Sequence, residues 1–236
     1  TLYTNDGEGN FTEVIGTGLS NWSEGGKIAF ADVDGDADQD LLITGRDGSP
    51  NYYANFYLND GSGNFTLDTT TPFEPSIGGN IEFADIDNDG DQDLFMTGYD
   101  NNNLIFSKLY QNDGTGEFSE VTSTPFLSVG GSASAFFDID NDNDLDLILT
   151  GKNSNYQKIT TLYRNDGSGN FSLESNTPFE NVDLADIDIN DCDNDGDLDV
   201  LINGENDSFA SICQIYLNDG TGVFDLLIET PFMQTS

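Results

Sequence analysis

A repeat of 53 residues is the feature that most constrains what this chain can fold into. Four segments, FADVDGDADQDLLITG, FADIDNDGDQDLFMTG, FFDIDNDNDLDLILTG and INDCDNDGDLDVLING, each join an aspartate-rich run to an apolar run. Their leading aspartates recur at a constant step of 53 residues, at Asp32, Asp85, Asp138 and Asp191. Because a fixed period indicates one supersecondary unit copied several times, the spacing predicts an array in which each copy packs against its neighbours.

Two further motifs keep the same period. An N-D-G-x-G motif begins at Asn5, Asn59, Asn112, Asn165 and Asn218, and a T-P-F motif begins at Thr71, Thr124, Thr177 and Thr230. Asn and Asp bond to their own backbone in turns, and glycines supply positive φ, so the first motif predicts a tight hairpin whose aspartate is a turn residue and not a metal ligand. We expect the proline of T-P-F to end strand pairing and its phenylalanine to pack between neighbouring units.

One repeat contains four strand-like segments. Ile81 and Phe83 alternate with Glu82, as in a half-buried strand, whereas the run 94–96 is apolar throughout, as in a strand covered on both faces. The segments KLYQND and EFSEV, on either side of the hairpin motif, supply two more strands. The sequence therefore predicts an all-β fold, a β-propeller of four-stranded antiparallel blades with about 53 residues per repeat. A linear β-solenoid, which usually has shorter coils, is the alternative.

The motif counts predict how the blades divide the chain. Five hairpin motifs accompany four aspartate loops, so we expect a single array over 1–236 that begins with a half blade. The half blade spans 1–20, and the full blades span about 26–73, 79–126, 132–179 and 185–232. The chain has no initiator Met or secretion signal and is interpreted as a mature or excised segment. Because the complement of the half blade is missing from the sequence, we expect a slice of a longer array, or an assembly closed by self-association or by another chain. A five-bladed ring with one incomplete blade is the alternative.

Each aspartate loop has the pattern of a calcium site. Counted from its leading aspartate, a loop carries Asp at positions 1, 3, 5, 7 and 9, and alternating hard oxygen ligands around a sharp turn at position 6 suit Ca²⁺. We expect side chains at positions 1, 3, 5 and 9, with the backbone carbonyl of position 7, to bind about four ions, one per loop. The candidate ligands are Asp32, Asp34, Asp36, Asp38, Asp40, Asp85, Asp87, Asp89, Asp91, Asp93, Asp138, Asp140, Asp142, Asp144, Asp146, Asp191, Asp193, Asp195, Asp197 and Asp199.

The competing interpretations of these loops fit the sequence less well. A solvated acidic turn would suffer repulsion between like charges, and its position 9 would run into a buried strand. Magnesium keeps its waters, and zinc or copper would favour His or Cys ligands, whereas the chain has no His. Position 6 is Gly90, Gly196, Asn143 or Ala37, and Ala tolerates a left-handed backbone worst, so loop 1 is predicted to bind most weakly unless Gly35 takes over the turn.

Charge excludes some partners. The formal net charge is −38 with only 6 Lys and Arg, so nucleic acid is not an expected partner. Twenty of the 44 acidic residues lie in the four loops, and no apolar run of about 18 residues predicts a membrane span. Cys192 occupies the place of Val33, Ile86 and Ile139 and is expected to be a small buried side chain; a disulfide with Cys213 is the alternative.

The motif DxDxDGDxDLxxTG, followed by a strand and NDGxGxF, resembles the FG-GAP or VCBS-type repeat of integrin α chains and many secreted bacterial proteins. The resemblance covers essentially the whole chain. It implies a calcium-bearing propeller that is extracellular or at the cell surface of a bacterium, with each calcium loop between strands one and two of a blade.

Three functions compete at this point. The absence of His removes the commonest general base, and the carboxylate pairs recur in every blade, so we expect a non-catalytic scaffold for adhesion or display. The second candidate is a calcium-dependent module that binds carbohydrate or a cell-surface protein through the variable segments 46–55, 99–107, 152–159 and 205–212, which carry Tyr, Asn and Phe. The third is a propeller enzyme acting on polysaccharide.

Overall fold

The computed structural model describes residues 2–19 and 25–227, which form five antiparallel β-sheets. The first sheet is a half blade of two strands, β1 (Leu2–Asn5) and β2 (Phe11–Val14). Four sheets of four strands follow, here blades 1 to 4. No described segment forms a long apolar helix of the kind that crosses a bilayer.

The strands of the four blades follow one another along the chain. Blade 1 contains β3 (Ile28–Ala31), β4 (Asp40–Gly45), β5 (Tyr53–Asn59) and β6 (Phe65–Asp68). Blade 2 contains β7 (Ile81–Ala84), β8 (Asp93–Tyr99), β9 (Ile105–Asn112) and β10 (Phe118–Val121). Blade 3 contains β11 (Gly130–Phe137), β12 (Asp146–Lys152), β13 (Lys158–Asn165) and β14 (Phe171–Glu174). Blade 4 contains β15 (Val182–Asn190), β16 (Asp199–Asn206), β17 (Ser211–Asn218) and β18 (Phe224–Leu226).

Spatial order equals chain order in every blade, and all neighbouring strands are antiparallel. The predicted all-β fold of propeller-like, four-stranded blades is thereby confirmed. The apolar run after the second aspartate loop forms β8, whose Leu94, Phe95 and Met96 have no solvent exposure. This strand is covered on both faces because the neighbouring blades pack on either side of it.

The T-P-F motifs join the blades. Phe73 packs edge-on against Phe56 of blade 1 and against Tyr110 of blade 2. The next residue, Glu74, donates its N–H to the Tyr110 hydroxyl at 3.1 Å. The same hydrogen bond recurs at the next two joints. The predicted packing of this phenylalanine between units is confirmed at the first three motifs, and the fourth, from Thr230, lies outside the described residues.

Antiparallel order places the functional segments at two opposite ends of a blade. The aspartate loop joins the first and second strands, and the N-D-G-x-G hairpin joins the third and fourth, so both lie at one end. The variable connections between the second and third strands lie at the other end. Each blade therefore separates its candidate metal site from its most variable surface. Whether these blades make a single array or part of a longer one stays a prediction.

Candidate metal centres

The aspartate-rich loops occupy the same place in all four blades. They span 32–40, 85–93, 138–146 and 191–199, here loops 1 to 4, and each lies between the first and second strands. In every loop, one oxygen from each of three carboxylates lies within 4.8 Å of the other two. The converging side chains are at positions 1, 3 and 5 in loops 1 to 3, and at positions 1, 3 and 9 in loop 4. The assignment of all twenty aspartates as ligands stays a prediction.

The aspartate at position 1 organises its own loop. In loop 2, Asp85 accepts the N–H of Asp89 on Oδ1 and that of Gly90 on Oδ2, both at 3.1 Å. Loops 3 and 4 repeat both bonds. In loop 1, Asp32 keeps the bond from position 6, here Ala37, on Oδ2, but accepts the N–H of Gly35 at position 4 on Oδ1. Each loop therefore winds around this carboxylate, which places the side chains of positions 3 and 5 beside it in loops 1 to 3.

Two left-handed residues make the turn in every loop. Position 4 has φ between 60° and 73°, and position 6 has φ between 72° and 102°. In loop 1 these residues are Gly35 and Ala37, with φ of 73° and 72°. Gly35 thus does not replace Ala37 in the turn. Ala37 still adopts a left-handed backbone, which destabilises the folded loop by about 1 kcal/mol. The weaker binding of loop 1 stays a prediction.

The aspartate at position 3 carries the clearest sign of a missing partner. Oδ1 of Asp87 and Oδ1 of Asp140 are buried and have no hydrogen-bond partner among the residues that the structure describes. Their other oxygens are held by Gln111 Nε2 and by Arg164 Nη1, the latter at 2.8 Å. A buried carboxylate oxygen without a partner is costly, and a cation between the converging carboxylates would satisfy it. An all-oxygen donor set of this kind fits Ca²⁺.

The aspartate at position 9 is buried at the start of the second strand and clasps two segments of its blade. In loop 2, Asp93 is 2% exposed and accepts the N–H of Ile86 on Oδ2 at 3.2 Å and that of Asn112 on Oδ1 at 2.9 Å. The same pair of bonds holds Asp40, Asp146 and Asp199. Position 9 thereby ties the aspartate loop to the N-D-G-x-G hairpin, while each of its oxygens keeps a second lone pair for a cation.

Burial of the position 9 aspartates changes their pKa. Desolvation raises the pKa of Asp93 to about 7 and the pKa of Asp146 to about 6. For Asp146, the positive charge of Arg164 and the bonds from Asn165 and Ile139 act in the opposite direction. Burial raises the pKa of Asp40 as well. Without a cation, burial therefore disfavours the charged carboxylate at position 9 of loops 1 to 3.

The asparagine of the hairpin extends the hydrogen bonds of position 9 across the blade joint. Asn112, whose N–H bonds to Asp93, donates its side-chain amide to the carbonyl of Val33, at position 2 of the preceding loop, at 2.8 Å. Asn165 and Asn218 make the same bond to Ile86 and Ile139, both at 2.7 Å. The N–H of each of these position 2 residues bonds in turn to position 9 of its own loop. A continuous hydrogen-bonded chain, here the relay, thus connects the position 9 aspartates of all four loops.

The side chain at position 7 points away from its own cluster. A β-carbon added to Gly114 would lie 2.8 Å from the carboxylate carbon of Asp91, so this side chain packs on the hairpin glycine. The next position 7 residue, Asp144, accepts the amide of Asn88 from the preceding loop at 2.8 Å. Asn141 makes the same contact to loop 4 at 2.9 Å. These contacts engage the carboxylate of position 7, and ligation of an ion by its backbone carbonyl stays a prediction.

The hairpin aspartates are turn residues, as predicted. Asp60 accepts the backbone N–H of Ser62 at 2.9 Å and the side-chain amide of Asn64 at 2.8 Å. Equivalent bonds to the residue two positions on occur at Asp6, Asp113, Asp166 and Asp219. These carboxylates therefore belong to the turns and not to the metal clusters.

The prediction that Cys192 is a buried apolar side chain is wrong. Both Cys192 and Cys213 are free, and Cys192 is exposed. Val33, Ile86 and Ile139 at the same position are at most 2% exposed because the hairpin of the next blade covers them. No following blade covers blade 4 within the described residues.

Taken together, the fold and the loops define an all-β repeat protein whose propeller-like blades each carry an acidic cluster able to hold a metal ion. The model for the FG-GAP-like repeat matches at 38–96, 85–149 and 138–202, which covers well over half of the chain. The chain belongs to this family of integrin α or VCBS-type repeats. Each match runs from one aspartate loop to the second strand of the next blade, and so includes a blade joint. The sequence has no significant match among curated proteins.

Removal of an asparagine side chain from within the relay should destabilise the fold more than removal of the equivalent asparagine side chain at the end of the relay. Asn165→Ala removes the amide that bonds the buried Ile86 carbonyl, whereas within the described part of the chain the amide of Asn59 donates only to the Gln39 carbonyl, at 3.2 Å. We expect Asn165→Ala to lower the free energy of unfolding by about 1 to 3 kcal/mol, the cost of leaving a buried carbonyl unpaired. Urea unfolding measures it, with Asn59→Ala as the matched control. Equal losses in the two variants would contradict the relay.

The cation-free chain should gain stability on mild acidification. The folded-state pKa of Asp93 lies above the unfolded value of 3.8, so the folded state binds more protons in this interval. Lowering the pH from about 7 to about 5 should therefore raise the unfolding temperature, and calcium should reverse the trend because protons compete with the ion. Asp93→Asn should reduce the slope. Thermal unfolding of dialysed protein measures this, and a melting temperature that falls over the same interval would contradict it.

Proposed function

We propose that the chain is a non-catalytic, calcium-binding repeat module of a secreted or cell-surface bacterial protein, and that it acts as a rigid scaffold for adhesion or display. The observation that carries the proposal is the position 9 clasp, which joins every acidic cluster to a blade joint. The FG-GAP family is commonly extracellular and usually non-catalytic, which agrees with this role.

Calcium would act here as a structural ion. The ion would supply positive charge among three or four carboxylates, and the chain's own residues hold those carboxylates in place through the bonds at positions 1 and 9. Extracellular calcium modules bind with dissociation constants of about 0.1 to 1 mM. At about 10 mM calcium, each site would then contribute roughly 1.4 to 2.7 kcal/mol to folding. Four sites together would contribute roughly as much as the net stability of a typical domain.

The symmetry of the loops supports a structural role over catalysis. A catalytic site is expected to differ from the other copies in an array, but the position 9 bonds recur in all four loops and the position 1 bonds recur in loops 2 to 4. The chain also has no His for general acid–base chemistry. The acidic loops are therefore better explained as four repeated structural sites than as one active centre.

The left-handed turn at position 6 gives a matched test of calcium binding. Ala37→Gly should raise the calcium affinity of loop 1 about fivefold. A bound ion requires the left-handed turn at position 6, and glycine relieves about 1 kcal/mol of backbone strain there. Gly90→Ala should weaken loop 2 by a similar factor, because a β-carbon there would meet no atom within 4 Å and only the φ of 95° opposes it. Calorimetric calcium titration of both variants and the wild type measures the changes.

Each outcome of this titration bears on the proposal. Binding in the millimolar range with a rise in unfolding temperature supports structural calcium. No heat and no thermal shift at about 10 mM calcium would overturn it, because sites of the expected affinity would then be nearly saturated. Four equal sites, with both variants unchanged, would contradict the assigned role of position 6.

The second candidate function, binding of carbohydrate, is favoured by two strained aromatic residues. In the variable connections of blades 3 and 4, Tyr156 is 84% and Phe209 is 79% exposed. Both adopt left-handed backbones, with φ of 61° and 59°, where the equivalent residue of blade 2 is Asn103. A bulky residue at such an angle is an outlier, and strain of this kind clusters at functional sites.

The surroundings of Tyr156 resemble a sugar-binding cleft more than those of Tyr52 do. Tyr156, Leu104 and Tyr99 line a cleft of about 230 Å³ together with polar Asn153 and Ser154. Tyr52, by contrast, is held by hydrogen bonds to Asn101 and Asn103 of the next blade, which indicates packing. The candidate ligand is a neutral glycan, because the net charge of −38 opposes acidic ones.

A screen of neutral oligosaccharides tests the second candidate. Binding should occur with calcium, and Tyr156→Ala should abolish it while Tyr3→Ala, another exposed tyrosine, leaves it intact. Retained binding in Tyr156→Ala would exclude the cleft as the site. Release of reducing ends from a polysaccharide in the same samples would favour an enzyme and contradict both the scaffold and the binding module.

A further inference from the structure

One residue of each hairpin does not follow the repeat. It directly precedes the hairpin asparagine, here the flanking position, and is Leu58, Gln111, Arg164 or Leu217 in blades 1 to 4. In blades 2 and 3 its side chain reaches the position 3 aspartate of the loop in the same blade. The four loops therefore carry the same aspartates but differ in the residue at the flanking position.

Arg164 contacts the acidic cluster of loop 3. Its Nη1 lies 2.8 Å from Oδ2 of Asp140 at position 3 and 3.6 Å from Oδ2 of Asp146 at position 9. The arginine side chain is only 20% exposed, and that of Asp146 is 2% exposed. A guanidinium is weakly hydrated and stays charged, which suits it to such a partly buried pair. It supplies, at two of the predicted ligands, positive charge of the kind that a bound ion would bring.

The same arginine reaches across the joint of blades 3 and 4. Its Nη2 donates to the carbonyl of Gly222 at 3.2 Å and to that of Thr221 at 3.5 Å, both in the hairpin of blade 4. Its Nε lies 3.6 Å from Oε2 of Glu174 in β14. The donors of a guanidinium form a fixed fork, so one side chain can hold several segments together. Arg164 therefore connects loop 3 to the hairpin of the following blade through its own charge and hydrogen bonds.

Gln111 provides an uncharged comparison in blade 2. Its Nε2 donates to Oδ2 of Asp87, the position 3 residue of loop 2. Asp87 and Asp140 are otherwise alike, because Oδ1 of each is buried and has no hydrogen-bond partner within the described chain. The amide of Gln111 orients its carboxylate without adding charge, whereas the guanidinium of Arg164 does both. Loops 2 and 3 therefore separate the effect of orientation from the effect of charge.

We propose that Arg164 is a built-in counter-cation of loop 3, which lowers the calcium affinity of that loop and makes the joint of blades 3 and 4 less dependent on calcium. This inference rests on the calcium binding proposed above. A positive charge in contact with two carboxylates of a site repels a divalent ion and neutralises part of the charge that attracts it. The flanking position thus sets how much calcium each loop needs, although the loops have the same aspartates.

Exchange of the two flanking residues tests this role. Arg164→Gln keeps a hydrogen-bond donor and removes the charge, so it should raise the calcium affinity of loop 3 about tenfold, the effect expected of a unit charge beside a divalent ion near the surface. Gln111→Arg should lower the affinity of loop 2 by a similar factor. Arg164→Lys is the matched control, because it keeps the charge and should change the affinity of loop 3 much less than Arg164→Gln does.

An NMR titration of dialysed protein with calcium chloride measures the loops separately. The backbone amide signals of Asn143 and Gly90, at position 6 of loops 3 and 2, report binding to each loop. In Arg164→Gln, the midpoint of the Asn143 signal should move to about tenfold lower calcium, while that of Gly90 stays in place. The rise in melting temperature from chelator to calcium should also be larger in this variant, because its cation-free form lacks the guanidinium.

The outcomes distinguish this inference from the proposed function. An unchanged midpoint for Asn143 in Arg164→Gln would overturn the counter-cation, and so would a higher one, because Arg164 would then assist binding by orienting Asp140. Equal shifts in Arg164→Gln and Arg164→Lys would overturn it too, since charge would not be the cause. If calcium moved the Gly90 signal in these cases, the proposed function would stand. If calcium moved neither signal in the wild type, the proposed function would fall and the role of Arg164 with it.

Discussion

The buried carboxylate at position 9 is the interaction on which the rest of this structure depends. Each of these four aspartates accepts one N–H from its own loop and one from the hairpin of its blade. The hairpin asparagine then reaches the preceding loop. An acidic cluster, a hairpin and a blade joint thus share one set of hydrogen bonds. This sharing explains why the repeat keeps an ionisable group in a fully buried position, where an unpaired charge is costly.

The basic side chains of the chain also pair with carboxylates that the fold buries or crowds. The chain has few basic residues, and several of them neutralise carboxylates that the fold buries or crowds. Lys158, with a side chain only 4% exposed, pairs with Asp183 at 2.8 Å across the joint of blades 3 and 4. Arg164 pairs with Asp140 in loop 3, and Lys108 with Glu74 and Glu120. The aspartates of the loops far outnumber these cations, so an external cation is the natural counter-charge for the clusters.

Much of the architecture could be predicted because the sequence repeats its constraints at a fixed spacing. The 53-residue step, the N-D-G-x-G turns and the buried run 94–96 all anticipate what the structure contains. The clasp at position 9 was only half predictable: the pattern marks Asp93 as a ligand candidate, but not as the acceptor of two backbone bonds. The relay from Asn112 to Val33 was missed, because the turn motif explains the asparagine locally and gives no sign of a partner 79 residues away. Cys192 was mispredicted because its neighbours in the pattern owe their burial to the next blade, which periodicity within one repeat does not reveal.

The sequence separation between each relay asparagine and the carbonyl that it bonds also affects when a blade can be completed during synthesis. All three relay bonds span 79 residues, with the acceptor always nearer the N-terminus. During synthesis, a blade that has left the ribosome must therefore wait for the hairpin of its successor before its own carbonyl is paired and its joint is covered. The blade made most recently therefore lacks this hydrogen bond until the hairpin of its successor has been made.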